Sequence, residues 1–237
     1  KELKLINTQR EKKRLLSDTG LDHLFIINFT LDFSKTTSQF FVNNILIEKL
    51  KAKIIVVGFN HHFGHNREGN YDYLYKLSKK HNFSVEEIPQ QDIENEAVSS
   101  TRIRKALTLG NIQRANAYLD SVFMMSGETT NKHDETPETG LKFFKLQIEE
   151  DIKIIPPKGI YAISISSDKG YQRGMAIIDD KENILINAIE DDNFNPDQGL
   201  VFVKFHKRIR LENLSLDKKQ AKKKIEKGKK EIMDLIY

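Results

Sequence analysis

The chain has 237 residues, no cysteine and a formal net charge of +4. This length suffices for one large or two small domains, and the lack of cysteine excludes disulfides, a thiol nucleophile and cysteine-ligated metal sites. No apolar run approaches the ~20 residues that a membrane helix needs, and the charged first residues are not those of a signal peptide. We therefore expect a cytoplasmic protein with no membrane partner.

Positive charge is concentrated at the C-terminal end. Residues 208–237 hold ten Lys or Arg against five Asp or Glu. A basic tail can bind nucleic acid, but no aromatic residue that would stack on bases lies among these lysines before Tyr237. Apolar residues recur here at helical spacing, which favours an amphipathic helix packed on its own domain and no nucleic-acid partner. They are Leu214, Ala221, Ile225, Ile232 and Leu235.

Helix and strand patterns alternate in the first half of the chain. A capping box from Thr8 to Glu11 opens the first helix, and Gly20 ends it. The continuous apolar run over 52–59 predicts a central parallel strand covered on both faces. The other predicted elements are a buried strand over 24–29, a helix over 36–50, a helix over 71–81, a strand over 83–88 and helices over 101–107 and 112–119.

The second half has a different pattern. A polar stretch without periodicity, 127–140, predicts a loop and a domain boundary. Beyond it, short strand-like segments separated by turn residues predict a small antiparallel barrel or sandwich. These segments are 143–148, 160–166, 172–178, 184–189 and 200–205.

A glycine-rich loop follows the strand predicted over 52–59. It runs from Gly58 to Gly69 and reads G-F-N-H-H-F-G-H-N-R-E-G. Ligands of parallel α/β sheets bind beyond the carboxyl ends of the strands, and glycines allow the backbone to approach them closely. Within the loop, Arg67 can meet an anion and Phe63 can pack on a planar ring.

Three histidines in the same loop raise the question of a metal site. His61, His62 and His65 lie close in sequence. No carboxylate stands at ligand spacing from them, and no H-E-x-x-H pattern presents a pair on a helix. We therefore predict ordinary loop histidines and no bound metal.

A second segment combines hydroxyls with cations at a predicted helix start. Residues 98–107 read V-S-S-T-R-I-R-K-A-L. Helix N-termini hold phosphates with free N–H groups, whereas Arg102 and Arg104 in a first turn are unfavourable unless an anion compensates them. Taken alone, the segment fits a phosphate site and an ordinary Ser/Thr cap equally well.

Together, the two segments resemble the bacterial bifunctional riboflavin kinase/FMN adenylyltransferase family, also called FAD synthetase. That family carries G-x-D-F-x-F-G-x-x-R-x-G after a central strand and S-S-T-x-I-R at the start of a helix. The present chain has the loop given above and, about forty residues later, S-S-T-R-I-R. Similar stretches also occur over 8–30, 110–119, 157–162 and 207–210, so the resemblance spans nearly the whole chain, strongly in the first half and thinly in the second.

The resemblance implies an α/β protein with two domains. Residues 1–126 would form a Rossmann-like nucleotidyltransferase domain, and 127–237 a riboflavin-kinase-like barrel with a C-terminal helix. The first domain would transfer AMP from ATP, accompanied by magnesium, to FMN, which gives FAD and pyrophosphate. By motif match, the ATP-binding residues would be Ser99, Ser100, Thr101 and Arg104. The flavin or nucleotide loop would use Gly58, Asn60, Phe63, Gly64 and Arg67.

The chain departs from the family at several catalytic positions. The H-x-G-H nucleotide motif of the family does not occur, so the catalytic residues are unknown; we expect this motif before Lys1, since the chain has no initiator Met and begins inside the expected domain. Asn60 stands where the family has Asp. In the barrel, 142–145 reads K-F-F-K in place of P-T-A-N, and Leu185 stands where the family has its glutamate base. We therefore predict that riboflavin kinase activity is lost.

Three other functions stay open at this level. The chain could be a non-catalytic flavin- or nucleotide-binding relative, a nucleotidyltransferase acting on another small phosphate, or, most remotely, a basic nucleic-acid-binding module. An H-x-G-H motif upstream would favour the enzyme over the first of these.

Overall fold

The computed structural model describes residues 3–93, 96–130, 142–168, 170–189, 199–210 and 227–232. The chain forms two compact units. The barrel unit comprises residues 1–22 and 98–237, and the α/β unit comprises residues 23–97. Within the described ranges, no helix has both the length and the apolar character required to cross a bilayer.

The first helix, α1, spans Gln9–Ser17. Its capping box is present as predicted: Thr8 Oγ1 accepts from the Glu11 amide at 3.2 Å, and the Thr8 amide donates to Glu11 Oε2 at 2.8 Å. The helix ends two residues earlier than predicted, with Asp18 as its C-cap, and Gly20 follows with φ of +78°.

The α/β unit contains the predicted pair of parallel strands. β1 (Ile54–Gly58) pairs with β2 (Ser84–Ile88), with Val57 opposite Glu87. The helix predicted over 36–50 is present as a short α-helical turn followed by a π-helix. The remaining elements are α2 (Leu31–Ser34), α3 (Ser38–Phe40), the π-helix (Phe41–Lys49), a 3-10 helix (His65–Arg67), α4 (Tyr71–Ser78), β3 (Asp92–Ile93) and β4 (Glu96–Ala97).

Two predictions about apolar runs in this unit are wrong. The run over 24–29 is not a buried strand: Phe25 and Phe29 are 65% and 79% exposed, and among the described residues no strand pairs with it. β1 is not covered on both faces either. Val57 is buried against Val42, Leu74 and Phe83, whereas Ile54 and Val56 on the other face are 58% and 53% exposed. The packing helices of this unit lie on one face of the sheet, so apolar content alone overstated burial.

Two further helices of the barrel unit precede the barrel strands, as predicted: α5 (Ser100–Thr108) and α6 (Ile112–Leu119). Asn116 on α6 joins them to the barrel. Its Nδ2 donates to Phe205 O at 2.9 Å, and its Oδ1 accepts from the Phe123 amide at 2.8 Å.

Six antiparallel strands form a closed barrel, which confirms the predicted small β-barrel. The strands are β5 (Met124–Thr130), β6 (Phe144–Ile148), β7 (Gly159–Ser167), β8 (Gly170–Ile178), β9 (Ile184–Ala188) and β10 (Leu200–Arg210). Their order around the barrel is β10-β5-β6-β9-β8-β7, and β7 pairs with β10 to close it.

Strand β5 was not predicted, and it runs through the proposed domain boundary at 126/127. Its first four residues, Met124 to Gly127, are all buried, so no alternation of apolar and polar residues marks it. Gly127 to Thr130 were predicted as loop and are strand; residues 131–140 lie outside the described residues. The division into domains 1–126 and 127–237 stays a prediction.

A short helix, α7 (227–232), packs on the barrel. Ile232 is fully buried in a cluster with Phe143, Ile160 and Met175. This confirms the predicted helix at this position; the other apolar positions of the predicted basic helix lie outside the described residues.

A buried ion pair fastens α1 to the barrel. Lys153 and Glu11 side chains are fully buried, with Lys153 Nζ 2.5 Å from Glu11 Oε2. The same ammonium donates to Ile6 O at 2.6 Å and to Met124 O at 2.7 Å. Glu11 Oε1 accepts from the Ser126 amide at 2.8 Å. Burial lowers the pKa of Lys153 to about 8, against the opposing effect of Glu11.

A histidine in β10 should make stability depend on pH. His206 Nε2 lies 3.0 Å from Ser164 Oγ, and burial, followed by the charge of Lys204, lowers the His206 pKa. Because the His206 pKa is lower in the folded chain than in the unfolded chain, the unfolded chain takes up the proton first as the pH falls. The contribution of the neutral ring to the free energy of unfolding is therefore present above about pH 6.5 and is lost as the pH falls below that value. We expect urea midpoints to decline less between pH 7.5 and 5.5 in His206→Gln than in the wild type. An identical decline in both would refute this.

Candidate functional site

An aromatic pocket of about 430 Å³ lies in the α/β unit beside the glycine-rich loop. Four phenylalanines line it, with neighbouring ring centroids 5.8 Å apart for Phe29–Phe33, 6.4 Å for Phe33–Phe41 and 6.0 Å for Phe41–Phe63. Its polar contributors are Ser34, Thr36, His61, His62 and Arg67, and Gly64 completes the lining. Such a pocket, mostly apolar with a few polar groups, is typical of sites for small planar ligands.

The loop is held in place by the start of the neighbouring helix. Phe63 and Gly69 form an antiparallel bridge, with N–O distances of 3.0 and 2.9 Å. Ser38 Oγ donates to Phe63 O at 3.1 Å, and the Ser38 amide donates to Glu68 Oε1 at 2.8 Å. These bonds tie the rim of the aromatic pocket to α3.

Gly64 cannot be replaced without moving this contact. Its φ is +77°, and a Cβ there would lie 2.1 Å from Ser38 Oγ and 2.7 Å from the Ser38 amide nitrogen. A side chain would be strained by the dihedral and would also clash with the backbone. Steric exclusion of a side chain therefore explains the glycine at position 64 of the motif.

A second, polar pocket of about 330 Å³ adjoins the first. The two share His61 and His62. The other residues that line the polar pocket are Asn60, Asn70, Tyr71, Asp72 and Glu87.

The structure separates the five predicted loop residues into three groups. Phe63, Gly64 and Arg67 line the aromatic pocket, as expected for a ligand loop. Asn60 lines the polar pocket instead. Gly58 is the last residue of β1, and a Cβ there would meet open space, so nothing in its surroundings requires a glycine.

The predicted phosphate segment forms the N-terminus of α5, in the barrel unit. Ser99 is the N-cap and accepts from the Arg102 amide at 3.4 Å, and Ser100 and Thr101 are exposed. Arg104 Nε donates to Lys4 O at 2.8 Å. A guanidinium has five N–H donors, so this bond leaves others for an anion.

α5 differs in charge from α1 and α4. These two helices carry an acidic residue in the first turn, Glu11 and Asp72, which complements the positive helix end. α5 has none there; Arg102 lies in its first turn and Arg104 begins the second. This arrangement suits a bound anion.

The barrel positions matched to the kinase motifs combine apolar side chains with a half-buried lysine. Lys145 on β6 lies opposite Leu185 on β9. Phe143 and Leu185 belong to the cluster that also holds Met175 and Ile232. Asn187, buried on β9, donates from Nδ2 to Lys142 O at 2.7 Å.

Metal binding has no cluster of ligands to support it in the part of the chain that the structure describes. No group of three His, Asp or Glu side chains converges there. The prediction that the loop histidines bind no metal stays a prediction.

The sequence reasoning missed three of the four pocket phenylalanines. Phe29 was assigned to a buried strand, and Phe33 and Phe41 were not singled out. No motif marks these residues: Phe29 precedes α2 by two positions, Phe33 lies within α2, and Phe41 opens the π-helix.

Comparison with known proteins finds similarity to flavin-related enzymes. Residues 1–102 match the family model of FAD synthetase. A bifunctional riboflavin kinase/FMN adenylyltransferase from Buchnera aphidicola subsp. Acyrthosiphon pisum is 35% identical over 156 residues, 66% of this chain and 49% of that protein. The Listeria monocytogenes protein of the same name is 28% identical over 178 residues, 75% of this chain and 56% of that protein.

A solved structure shares the fold. The crystal structure of a protein described as a macrolide-efflux protein from Streptococcus pneumoniae has a TM-score of 0.77 and covers 97% of this chain and 74% of its own. At 23% identity this likeness concerns the fold alone. The chain spans about half the length of the curated relatives it matches. The two motifs, the barrel and these matches together show that the chain is similar to the bifunctional riboflavin kinase/FMN adenylyltransferases, and they support this family for it.

Proposed function

We propose that this chain carries the FMN- and ATP-binding parts of an FMN adenylyltransferase, which makes FAD, and that its barrel has lost riboflavin kinase activity. The observation that carries the proposal is the aromatic pocket at the motif loop, where Phe63, Gly64 and Arg67 meet three further phenylalanines. A planar isoalloxazine ring matches such a lining, since aromatic faces pack on aromatic rings.

The α5 N-terminus is the proposed site for the ATP phosphates. Ser99–Thr101 supply hydroxyls and backbone N–H groups, and Arg104 supplies a guanidinium held by Lys4 O. These are charge-assisted donors for phosphate oxygens. Magnesium would enter with ATP, bound through the phosphates of the nucleotide.

The reaction would be a substitution at the α-phosphorus of ATP. A phosphate oxygen of FMN forms a bond to this phosphorus, the bond to the bridging β-phosphate oxygen breaks, and pyrophosphate leaves with the electron pair. The residues of this chain would bind and orient the two substrates and neutralise phosphate charge. The expected H-x-G-H segment before Lys1 and the cytoplasmic location stay predictions.

The side chains at the matched kinase positions support the second half of the proposal. Phosphoryl transfer to a hydroxyl needs a Mg–ATP cradle and a group that orients or deprotonates the nucleophile. Phe143, which takes the place of the threonine of the family motif, and Leu185 both contribute to an apolar cluster. Neither side chain can accept a proton.

Substitutions in the α5 segment should weaken ATP binding. We expect Thr101→Ala and Arg104→Ala each to cost about 1–3 kcal/mol of ATP binding free energy, through loss of a charge-assisted hydrogen bond. Isothermal calorimetry measures this directly. Lys105→Ala, an exposed cation outside the matched residues, is the control. Unchanged affinity in both variants would remove the segment from the ATP site.

Removal of a ring from the aromatic pocket should weaken flavin binding. We expect Phe63→Ala to raise the dissociation constant for FMN about tenfold or more, because ring contacts and burial of apolar surface are lost. Titration of FMN fluorescence measures the affinity. Tyr75→Ala, an exposed aromatic on α4 that does not line the pocket, is the control. Equal losses in both variants would contradict this assignment.

A further inference from the structure

The polar pocket lies where parallel sheets bind their ligands. Asn60 follows the last residue of β1 by two positions, and Glu87 is the penultimate residue of β2. Asp72 lies in the first turn of α4. All three line the pocket of about 330 Å³, which therefore opens at the carboxyl ends of both strands.

The chemistry of this pocket selects against phosphate. Two carboxylates, Asp72 and Glu87, face it and would repel an anion. Carboxylates are strong acceptors for hydroxyl donors. Asn70 adds a donor to these acceptors. Its Oδ1 accepts from the Tyr73 amide at 2.9 Å, and the NH₂ group of the Asn70 side chain remains as a donor.

The two pockets adjoin at two histidines. His61 and His62 line both, and the His61 ring stacks on Phe63 with centroids 6.0 Å apart and planes at 20°. A planar ring in the aromatic pocket and a hydroxylated group in the polar pocket would therefore lie side by side, as two parts of one ligand do.

We propose that the polar pocket binds the ribityl hydroxyls of the flavin, with Asp72 and Glu87 as the residues that recognise them; this deepens the proposed function and rests on it. The ribityl chain is neutral and hydroxylated, and it lies between the ring and the phosphate of FMN. Asp72 and Glu87 accept hydrogen bonds from it and direct the charged phosphate out of the pocket.

Comparison of two flavins measures the contribution of the ribityl chain to binding. Lumiflavin has the isoalloxazine ring without the ribityl chain, and riboflavin has both without a phosphate. We expect the wild-type chain to bind riboflavin more tightly than lumiflavin in fluorescence titrations. The double variant Asp72→Ala/Glu87→Ala should lower this preference about tenfold. Its affinity for lumiflavin should be unchanged, which also shows that the variant is folded.

Glu86→Ala is the matched control. Glu86 is an exposed carboxylate beside Glu87 on β2, and adjacent strand residues point to opposite faces. It should leave the preference for riboflavin intact. The proposal is overturned if the wild type binds both flavins equally, or if the double variant keeps the full preference.

These titrations distinguish a wrong assignment of the polar pocket from a wrong assignment of the aromatic pocket. If Phe63→Ala weakens lumiflavin binding but the double variant keeps the riboflavin preference, only the assignment of the polar pocket is wrong. If Phe63→Ala leaves lumiflavin binding unchanged, the aromatic pocket is not the flavin site and both proposals are wrong.

Discussion

Glu11→Gln should destabilise the chain by about 3–5 kcal/mol. The substitution leaves the Lys153 ammonium fully buried, 2.5 Å from a neutral amide instead of a carboxylate. A buried charge without its counter-ion carries a desolvation cost that the two remaining carbonyl acceptors, Ile6 O and Met124 O, do not offset. The chain has no tryptophan, so urea unfolding followed by circular dichroism is the suitable measurement.

An exposed ion pair gives the matched control. Arg10 Nη2 lies 2.9 Å from Glu149 Oε2, and the Glu149 side chain is 66% exposed. Glu149→Gln should cost less than about 1 kcal/mol, because exposed pairs contribute little. A double variant Glu11→Met/Lys153→Met should recover much of the lost stability, since it removes both buried charges. Similar costs for Glu11→Gln and Glu149→Gln would show that the pair does not anchor α1.

Riboflavin incubated with the full-length protein, ATP and magnesium should yield no FMN. Loss of an oriented base alone typically lowers a rate by about 10²–10⁴-fold, and the matched positions also lack the cradle residues. The structure places Leu185 and Phe143 in an apolar cluster closed by Ile232. Chromatography separates riboflavin from FMN and measures the product directly.

One result would reverse this prediction. Turnover near one per second, abolished by Glu190→Gln, would identify Glu190 as the base and make the protein bifunctional. Glu190 lies outside the described residues, five positions beyond Leu185 in the sequence. Glu182→Gln is the matched control, since Glu182 is an exposed carboxylate in the turn between β8 and β9 and lies outside the matched positions.

Local signals predicted most of the fold. The capping box at Thr8 and the turn residues between the barrel strands act within a few residues, so they can be read from the sequence. Burial depends on what packs from elsewhere in the chain. The run over 24–29 and the strand β1 therefore resembled covered strands while their apolar side chains are exposed. β5 was missed for the opposite reason, because burial on both sides removes its alternation.

The sequence predicted only those residues of the candidate site that belong to a motif. Phe63, Gly64 and Arg67 were found through the loop motif, and the pocket confirms that they lie together. Phe33 and Phe41 also line the pocket, but they belong to no motif and lie on α2 and the π-helix. The Glu11–Lys153 pair joins residues 142 positions apart, a distance at which no local pattern operates.

The formation of FAD by the full-length protein tests the central claim most directly. FMN, ATP and magnesium are incubated with the protein, and FAD and pyrophosphate are measured by chromatography and a coupled pyrophosphate assay. We predict equal amounts of both products, with lower rates in Phe63→Ala and Arg104→Ala. Binding of FMN and ATP without any FAD would contradict the claim and would make the protein a non-catalytic flavin-binding relative.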